Sequence, residues 1–320
     1  MKSLLCYKGK EMRENFFIEP ITKDKVDSVT ELYEILYNKK LGYNYLDKLT
    51  FPELESPLLG HIAFSEDGQP VGFVGMFPCK AKYKDVRIMT AQMGDVMTHP
   101  NHRRKGIFTL LANKNIELAR NNNYKYLFGF PNDAAYPGWI KMGWENPCKI
   151  LGFSKKLIPS VDYKIINRIS SKLFYKIASK RIKKMLLDDS GINFPSSADF
   201  HIIKDKSYQK YKSYSKTNYL LNLDNGVAWI GFYHFQIILG DFLIKDSSKA
   251  DIFFNELFKF SESLGASEII YYQPSSYPIV SQAITDLFEK APDIEFICYN
   301  LVEEKYENTL FVTGTDFDTF

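Results

Sequence analysis

The feature that most constrains this chain is a basic turn closed by a glycine, set between an apolar strand and an amphipathic helix. The strand pattern runs from Val86 to Thr98, and Pro100 interrupts it. A helical pattern begins at Ile107, directly after Gly106, with apolar residues at i, i+3 and i+4 spacing. Backbone N–H groups at a helix start have no partner within the helix, and the helix dipole is positive there. The turn therefore predicts a binding site for phosphate groups.

Three adjacent cations strengthen this prediction. Arg103, Arg104 and Lys105 occupy the turn itself and attract anions. A basic turn before a helix is often only a solvated loop. Here the apolar strand before the turn and the helix after it supply the context that a phosphate loop requires.

Residues 103–107 (RRKGI) resemble the Arg/Gln-x-x-Gly-x-Gly/Ala signature of the GNAT (GCN5-related N-acetyltransferase) superfamily. Phe108 replaces the last small residue of that signature. The flanking elements follow the family's order, with Asn132 at a strand end, and residues 139–144 (WIKMGW) are similar to its Tyr-x-Lys-x-Gly-Phe ending. The resemblance fills roughly one domain of typical size. It implies an α/β (α+β) fold with a mixed, largely antiparallel central sheet flanked by helices.

The resemblance also implies acetyl-coenzyme A (acetyl-CoA) as the cofactor. In the family, the turn holds the cofactor's pyrophosphate, and the pantetheine arm enters a gap between two splayed strands. There it pairs with backbone groups like an added strand. The cofactor-binding residues implied in this sequence are Val96, Met97, Thr98, Arg103, Arg104, Lys105, Gly106, Ile107, Phe108 and Asn132.

Two residues are candidates for acid–base catalysis. Asp95 shares a strand face with Met97, and an acidic residue on this strand resembles the family's general base; the alternative is a carboxylate that fixes a loop. The family often protonates the leaving thiolate with a Tyr at the position of Trp139, whose indole cannot serve as that acid. Tyr136, three residues earlier, is the candidate substitute. The terminal carboxylate of Phe320 is a further candidate base, as in some multi-domain relatives.

Other side chains near the turn are assigned smaller roles. Tyr43, Tyr45 and Phe51 are candidates for lining the acceptor pocket or for surface packing. His99 and His102 flank the turn and have no matched ligands elsewhere in the sequence. They are therefore expected to be exposed loop histidines, and no metal site is predicted.

The length of 320 residues predicts more than one domain. Residues 1–153 form the predicted GNAT domain, and residues 154–198 form a basic helical linker. Residues 199–320 repeat the order of strands and helices but lack the phosphate signature, which predicts a degenerate GNAT-like domain without a cofactor site. The expected architecture is thus a tandem of GNAT-like domains.

Composition limits the partners. A formal net charge of +3 gives no argument for a nucleic-acid partner. No apolar run approaches the ~20 residues of a membrane span. Four scattered cysteines favour a reducing cytoplasm over a disulfide scaffold. The oligomeric state has no signal in the sequence.

The predicted function is acetyl-CoA-dependent transfer of an acetyl group to a primary amine of a small molecule, directly within a ternary complex. Phe130-Pro131-Asn132 and Met142-Gly143-Trp144 resemble a branch found among bacterial surface-polysaccharide genes, which suggests an amino sugar as acceptor. Aminoglycoside-type and polyamine acceptors remain open. One alternative is a tRNA-dependent aminoacyl transferase of the peptidoglycan cross-bridge type, and another is a non-catalytic CoA-binding module.

Overall fold

The computed structural model describes residues 16–41, 44–50, 58–159, 198–215, 217–233, 235–275, 282–303 and 310–317, with a few positions between 182 and 194. The strands are β1 (Phe16–Pro20), β2 (Gly60–Ser65), β3 (Pro70–Tyr83), β4 (Val86–Thr98), β5 (Tyr126–Gly129), β6 (Lys149–Lys156), β7 (Phe200–Ile202), β8 (Asn218–Leu223), β9 (Gly226–Tyr233), β10 (Gln236–Ile244), β11 (Glu268–Pro274), β12 (Glu289–Glu295), β13 (Ile297–Asn300) and β14 (Leu310–Phe311). The helices are α1 (Val26–Tyr37), α2 (Tyr45–Leu49), α3 (Ile107–Asn121), α4 (Tyr136–Lys141), α5 (Lys206–Lys212), α6 (Ala250–Ser263) and α7 (Gln282–Leu287).

The chain forms two compact units. Unit 1 comprises Met1–Pro147 and Glu295–Tyr306, and unit 2 comprises Cys148–Ile294 and Glu307–Phe320. Strands β1–β5 and β13 of unit 1 lie in one sheet, and β6 and β8–β12 lie in another. Both units therefore combine segments that lie far apart in the sequence.

Unit 1 contains a sheet of strand order β1-β2-β3-β4-β5-β13. Neighbouring strands are antiparallel except β4 and β5, which are parallel and joined through α3. Adjacent residues Ile62 and Ala63 belong to two different cores, one with α1 and one with α3. Because side chains alternate along a strand, helices cover both faces of this sheet. The predicted mixed, largely antiparallel sheet flanked by helices is confirmed.

Strands β4 and β5 separate before β4 ends. Their parallel pairing runs only from Thr90–Tyr126 to Gln92–Phe128, whereas β4 continues to Thr98. Beyond that point β4 stays paired with β3 on its other edge, and an extra residue shifts the register between Gly94 and Met97. Asp95, at this bulge, has a φ of 48°, a left-handed conformation that is uncommon for a residue with a side chain.

Unit 2 contains a sheet of strand order β12-β6-β11-β10-β9-β8. Strands β10 and β11 are parallel and joined through α6, while β8, β9 and β10 are antiparallel. The apolar face of α6 carries Phe253, Phe254, Leu257 and Phe258, all buried in the core. Each such side chain contributes about 1.5–3 kcal/mol through burial. The arrangement repeats that of β3, β4, α3 and β5 in unit 1.

Each sheet is completed by a strand from a distant part of the chain. β13 pairs antiparallel with β5 of unit 1, and β6 pairs antiparallel with β11 of unit 2. The sequence pattern places residues 295–301 among the closing strands of the second domain, whereas the structure places Ile297–Asn300 in the sheet of unit 1. Strand periodicity is the same whichever sheet a strand joins, so the pattern contained no information on this point. Most of the predicted linker, residues 154–198, lies outside the described residues, but its first three residues belong to β6 and Ile182 is buried in the core of unit 2.

Candidate active site

The turn after β4 has two left-handed residues and leads directly into α3. A short 3-10 turn covers Pro100–His102, and Arg104 has a φ of 65°. Gly106 is the residue before the helix and has a φ of 83°, which glycine adopts without steric cost. A Cβ atom placed on Gly106 would meet nothing within 4 Å. The predicted glycine turn at the start of the helix is therefore present, and it faces open space.

Backbone donors and cations meet at this helix end. Among the described residues, the amides of Gly106, Ile107 and Phe108 donate to no protein acceptor, since the first bond of the helix runs from the Leu110 amide to the Gly106 carbonyl. Arg103 and Arg104 are exposed. Within the same part of the chain, neither arginine forms an ion pair. The first turn of α3 therefore has the donors and the positive charge that favour an anion.

His99, beside the turn, does not add to its positive charge in the way that the arginines do. His99 is buried, with 8% of its surface exposed, which corrects the expectation of an exposed loop residue. Burial lowers the pKa of His99, and the nearby charges of His102 and Arg103 lower it further. Its Nδ1 atom accepts a hydrogen bond from the Asn101 amide. His99 therefore favours its neutral form and fixes the turn. No cluster of three or more metal-ligating side chains occurs in the described ranges.

Among the described residues, the end of β4 has one edge that pairs with no strand. Val96 and Thr98 are half-buried and Met97 is buried. The backbone at Met97 and Thr98 pairs with β3 on one side, while pairing with β5 on the other side ends at Gln92. An extended ligand can add to such an edge as a strand does.

Asp95 is held by two side chains of α2. Lys48 Nζ lies 2.9 Å from Asp95 Oδ1 and 2.7 Å from Oδ2, and the Tyr45 hydroxyl donates to Oδ2 at 2.5 Å. The Lys48 side chain is 3% exposed and that of Asp95 is 19% exposed, so the ion pair is largely shielded from water. The sequence pattern contained no signal for this pairing, because the partners lie 47 and 50 positions away.

Of the three residues predicted to line the acceptor pocket, the structure describes Tyr45. Tyr45 is buried at 3% exposure and packs edge-on against Phe73. Helix α2, which contains it, lies in a region where the sequence shows no regular period. Tyr43, Phe51 and Phe320 lie outside the described residues.

The start of α4 places Tyr136 and Asn132 close to each other. Asn132 Oδ1 accepts the Ala135 amide at 3.0 Å and so stabilises the turn into the helix. Tyr136 is the first residue of α4 and is half-buried, and its hydroxyl oxygen accepts Asn146 Nδ2 at 2.9 Å. Sequence reasoning missed Asn146, which follows the family-like ending at Trp144.

Phe108 and Trp139 are core residues. Their rings meet edge to face with centroids 4.8 Å apart, and Trp139 also packs on Trp144 at 4.6 Å. Trp139 is only 2% exposed. Phe108 is the second residue of α3, so its contact with Trp139 brings the first turn of α4 beside the first turn of α3. The Phe108 ring packs against α4, while its backbone amide stays at the helix end.

Comparison with known proteins identifies the fold and the family. A family model described as an acetyltransferase (GNAT) domain matches residues 18–146, the segment that carries the turn and Asp95. Residues 18–146 form a domain of the GNAT superfamily. An uncharacterized N-acetyltransferase of Methanocaldococcus jannaschii is 26% identical over 151 residues, which cover 44% of this chain and 65% of that relative.

Solved GNAT structures share the architecture of the chain. A GCN5-related N-acetyltransferase from Kribbella flavida matches 91% of this chain and 72% of its own, with a TM-score of 0.56 and 12% identity. Another from Sphaerobacter thermophilus matches 94% of this chain and 99% of its own, with a TM-score of 0.51 and 10% identity. These similarities establish the GNAT fold. Among the described helices of this GNAT protein, none is long and apolar enough to span a membrane.

Proposed function

We propose that this GNAT protein is an N-acyltransferase that moves an acetyl group from acetyl-CoA to a primary amine of a small molecule. The observation that carries the proposal is the start of α3, where the amides of residues 106–108 have no acceptor within the described residues and two exposed arginines follow the end of β4. Membership of a family of acetyltransferases supports the same activity. Acetyl-CoA supplies the thioester whose acetyl group is transferred.

The chain's own residues would hold the cofactor in two places. Arg103, Arg104 and Lys105, together with the amides of Gly106, Ile107 and Phe108, would bind its pyrophosphate. The backbone of residues 96–98 would pair with the pantetheine amides, and the amide group of Asn132 would add a polar contact.

Asp95 and Tyr136 are the proposed acid–base pair. The ammonium group of the acceptor would lose one proton to Asp95, directly or through water, and the neutral amine would attack the thioester carbon. The nitrogen would lose its second proton to solvent as the C–S bond breaks with its electron pair on sulfur. Tyr136 would give its hydroxyl proton to that sulfur, and both Tyr136 and Asp95 would return to their starting protonation by exchange with solvent. Lys48 and Tyr45 keep the Asp95 carboxylate in one orientation.

An amino sugar of a surface polysaccharide is the proposed acceptor, on the resemblance of residues 130–132 and 142–144 to that branch of GNAT proteins. We place the enzyme in the cytoplasm, where acetyl-CoA is made. The scattered spacing of the four cysteines agrees with a reducing compartment.

A non-catalytic CoA-binding module is the second candidate. The buried Trp139 favours it, because the usual acid of the family is replaced by an indole packed in the core. Binding and turnover separate the two functions. A module binds acetyl-CoA and releases no thiol in the presence of amines.

The test is calorimetric titration with acetyl-CoA, followed by thiol release with glucosamine, kanamycin and spermidine. We expect Arg103→Ala and Arg104→Gly each to weaken binding about tenfold or more, since each removes a charge-assisted hydrogen bond. Glycine at position 104 keeps the left-handed backbone, so that variant removes only the cation. Lys259→Ala, an exposed lysine on α6, is the control for net charge. If all three variants bind acetyl-CoA with the same affinity, the proposed pyrophosphate site at residues 103–108 is wrong.

A further inference from the structure

Tyr136 ends a chain of three polar side chains in unit 1. Asn146 Nδ2 donates to the Tyr136 hydroxyl oxygen at 2.9 Å and to Glu295 Oε2 at 2.5 Å. An amide nitrogen has two hydrogens, so it can serve both acceptors at once. Phenol, amide and carboxylate are therefore linked in one series.

The fold builds this series from two distant segments. Glu145 and Cys298 of β13 exchange two backbone hydrogen bonds, each 2.9 Å long, which sets Asn146 beside the start of β13. Phe296 is fully buried against Phe128 and holds the residue before it in place. Glu295 thus reaches Asn146 from 149 positions along the chain.

The Tyr136 end of the series lies near the proposed cofactor site. Phe108, in the first turn of α3, contacts the Trp139 ring, and a Cβ atom on Gly138 would lie only 2.7 Å from the Phe108 ring. The first turns of α3 and α4 are therefore neighbours. Tyr136 begins α4 at this same end.

We infer that Asn146 is a positioning residue that makes Tyr136 a better proton donor, and that Glu295 orients Asn146; this inference rests on the proposed function. A phenol oxygen that accepts a hydrogen bond from Asn146 keeps its own hydrogen for another partner. When Tyr136 passes that hydrogen to the departing sulfur, its oxygen becomes negative. The bond from Asn146 then becomes charge-assisted and about twice as strong. Because this gain arises only in the transition state, it raises kcat and leaves cofactor affinity unchanged.

Glu295 acts on the orientation of the amide. A carboxylate accepts hydrogen bonds and cannot donate them, so it fixes the nitrogen of Asn146 toward both itself and Tyr136. Its negative charge opposes a phenolate on Tyr136. A neutral acceptor at position 295 should therefore preserve the function, whereas loss of the acceptor should not.

The experiment measures thiol release from acetyl-CoA with glucosamine, kanamycin and spermidine as probe amines. We expect Tyr136→Phe to lower kcat about 10²-fold and Asn146→Ala to lower it on the order of 10-fold to 100-fold. Both should leave the acetyl-CoA affinity and the KM for acetyl-CoA as they are. In the Tyr136→Phe background, Asn146→Ala should have no further effect, because the bond it removes no longer exists. Asn255→Ala, at an exposed position of α6, is the matched control.

The carboxylate is tested separately. Glu295→Gln should retain kcat within a few-fold, and Glu295→Ala should resemble Asn146→Ala. An unchanged kcat in Asn146→Ala, or equal losses with and without the Tyr136 hydroxyl, would overturn the inference and leave the proposed function standing. Absence of thiol release by the unaltered protein would instead overturn the proposed function, and this inference with it.

Discussion

Units 1 and 2 share one arrangement of strand, bulge and helix, and they differ in what occupies it. Gly-Asp follows the end of the parallel strand pair in both units, at residues 94–95 and 240–241. Both aspartates lie at a register shift of their strand. Both also pair with a buried lysine, Asp95 with Lys48 and Asp241 with Lys204. The common fold thus provides a bulge and a buried ion pair but does not by itself provide a binding site.

The helix start shows the first difference. In unit 2, Asp246 precedes α6 and accepts the Ser248 amide and hydroxyl, and these bonds lower its pKa. Lys249 also pairs with Asp246 at 3.1 Å. A carboxylate at a helix start occupies the donors and repels phosphate. The start of α3 carries arginines in the same place, so of these two helix starts it is that of α3 whose charge and donors favour an anion.

The opening between the parallel strands shows the second difference. In unit 2, a short 3-10 turn at Gly314–Asp316 packs on β10 and β11 past the end of their pairing. The Thr313 and Thr315 hydroxyls donate to Asp241. The matching edge of β4 pairs with no strand among the residues described for unit 1. In unit 2, the turn at Gly314–Asp316 thus fills the opening between the parallel strands. In unit 1, the matching opening beside β4 is where the cofactor is expected to bind.

Unit 2 also buries a cluster of three charged side chains at its bulge. Lys204 contacts Asp241 at 2.8 Å and Asp316 at 2.9 Å, and all three side chains are nearly inaccessible to water. Desolvation acts to lower the pKa of Lys204, and the two carboxylates outweigh it, so that the pKa is raised. Desolvation raises the pKa of Asp316 despite the attraction of Lys204. Unit 2 therefore uses this cluster for its own cohesion.

The largest effect expected from this comparison concerns cofactor binding at the two helix starts. We expect one acetyl-CoA per chain, no binding by Gly106→Trp, and unchanged binding by Lys249→Trp, which alters the equivalent position in unit 2. The tryptophan fills the space that the phosphates need. Calorimetric titration gives affinity and stoichiometry, and circular dichroism checks the fold. Gly106→Asn, which tolerates the left-handed backbone, controls for strain. Two molecules bound per chain would remove the contrast between the units.

The second prediction compares the buried lysines. Lys204→Met should destabilise unit 2 by about 3–5 kcal/mol, because two buried carboxyl groups lose their cation. Lys48→Met should cost less, about 1–3 kcal/mol, because Asp95 is partly exposed and keeps its bond from Tyr45. Urea unfolding of both variants measures the free energies. A greater loss for Lys48→Met would contradict this view of the two clusters.

The third prediction compares the aspartates at the two bulges. Asp95→Asn should lower kcat about 10²-fold and leave acetyl-CoA affinity nearly intact, because it removes the proposed proton acceptor. Asp241→Asn should leave kcat unchanged in the folded protein. The pH dependence of kcat in both variants is the measurement. If Asp95→Asn has the profile of the unaltered protein, Asp95 is not the base.

The smallest expected effect is on the pH dependence of stability, and it concerns the contacts of α3 and of α6 with their sheets. In unit 1, His61 Nδ1 pairs with Asn115 Oδ1 at 2.6 Å, whereas α6 of unit 2 is packed by phenylalanines. Burial lowers the pKa of His61 below the ordinary 6.5, although the bond to Asn115 acts to raise it. The unfolded chain therefore binds the proton more readily. This contribution to stability is complete above about pH 6.5 and is lost as the pH falls through the folded pKa.

His61→Gln keeps a donor for Asn115 and does not titrate. The acid-side loss of stability should therefore be smaller in this variant than in the unaltered protein. Urea unfolding between pH 7 and pH 5 measures the difference, and His99 is present in both proteins, so its titration cancels. Identical pH dependence would show that His61 does not contribute.

Local elements were predictable because their causes lie within a few residues. The strand that ends at Thr98, the glycine turn and the helix from Ile107 occur as predicted. Proline, a left-handed glycine and helical spacing act on neighbouring backbone, so the pattern is sufficient. Helix α2 was missed because its single turn is too short to show a period. The strand Glu289–Glu295 was missed because charged residues and Pro292 interrupt its pattern.

Residue patterns were enough to predict the fold class and the glycine turn at residues 103–108 that leads into α3. The tertiary structure alone decided that Lys48 and Tyr45 hold Asp95, that β13 joins the sheet of unit 1, and that Asn146 and Glu295 reach Tyr136. The physical reason is separation along the chain. Hydrogen bonds between residues dozens to more than a hundred positions apart form only when the whole chain has folded, and neither partner alters the periodicity around the other.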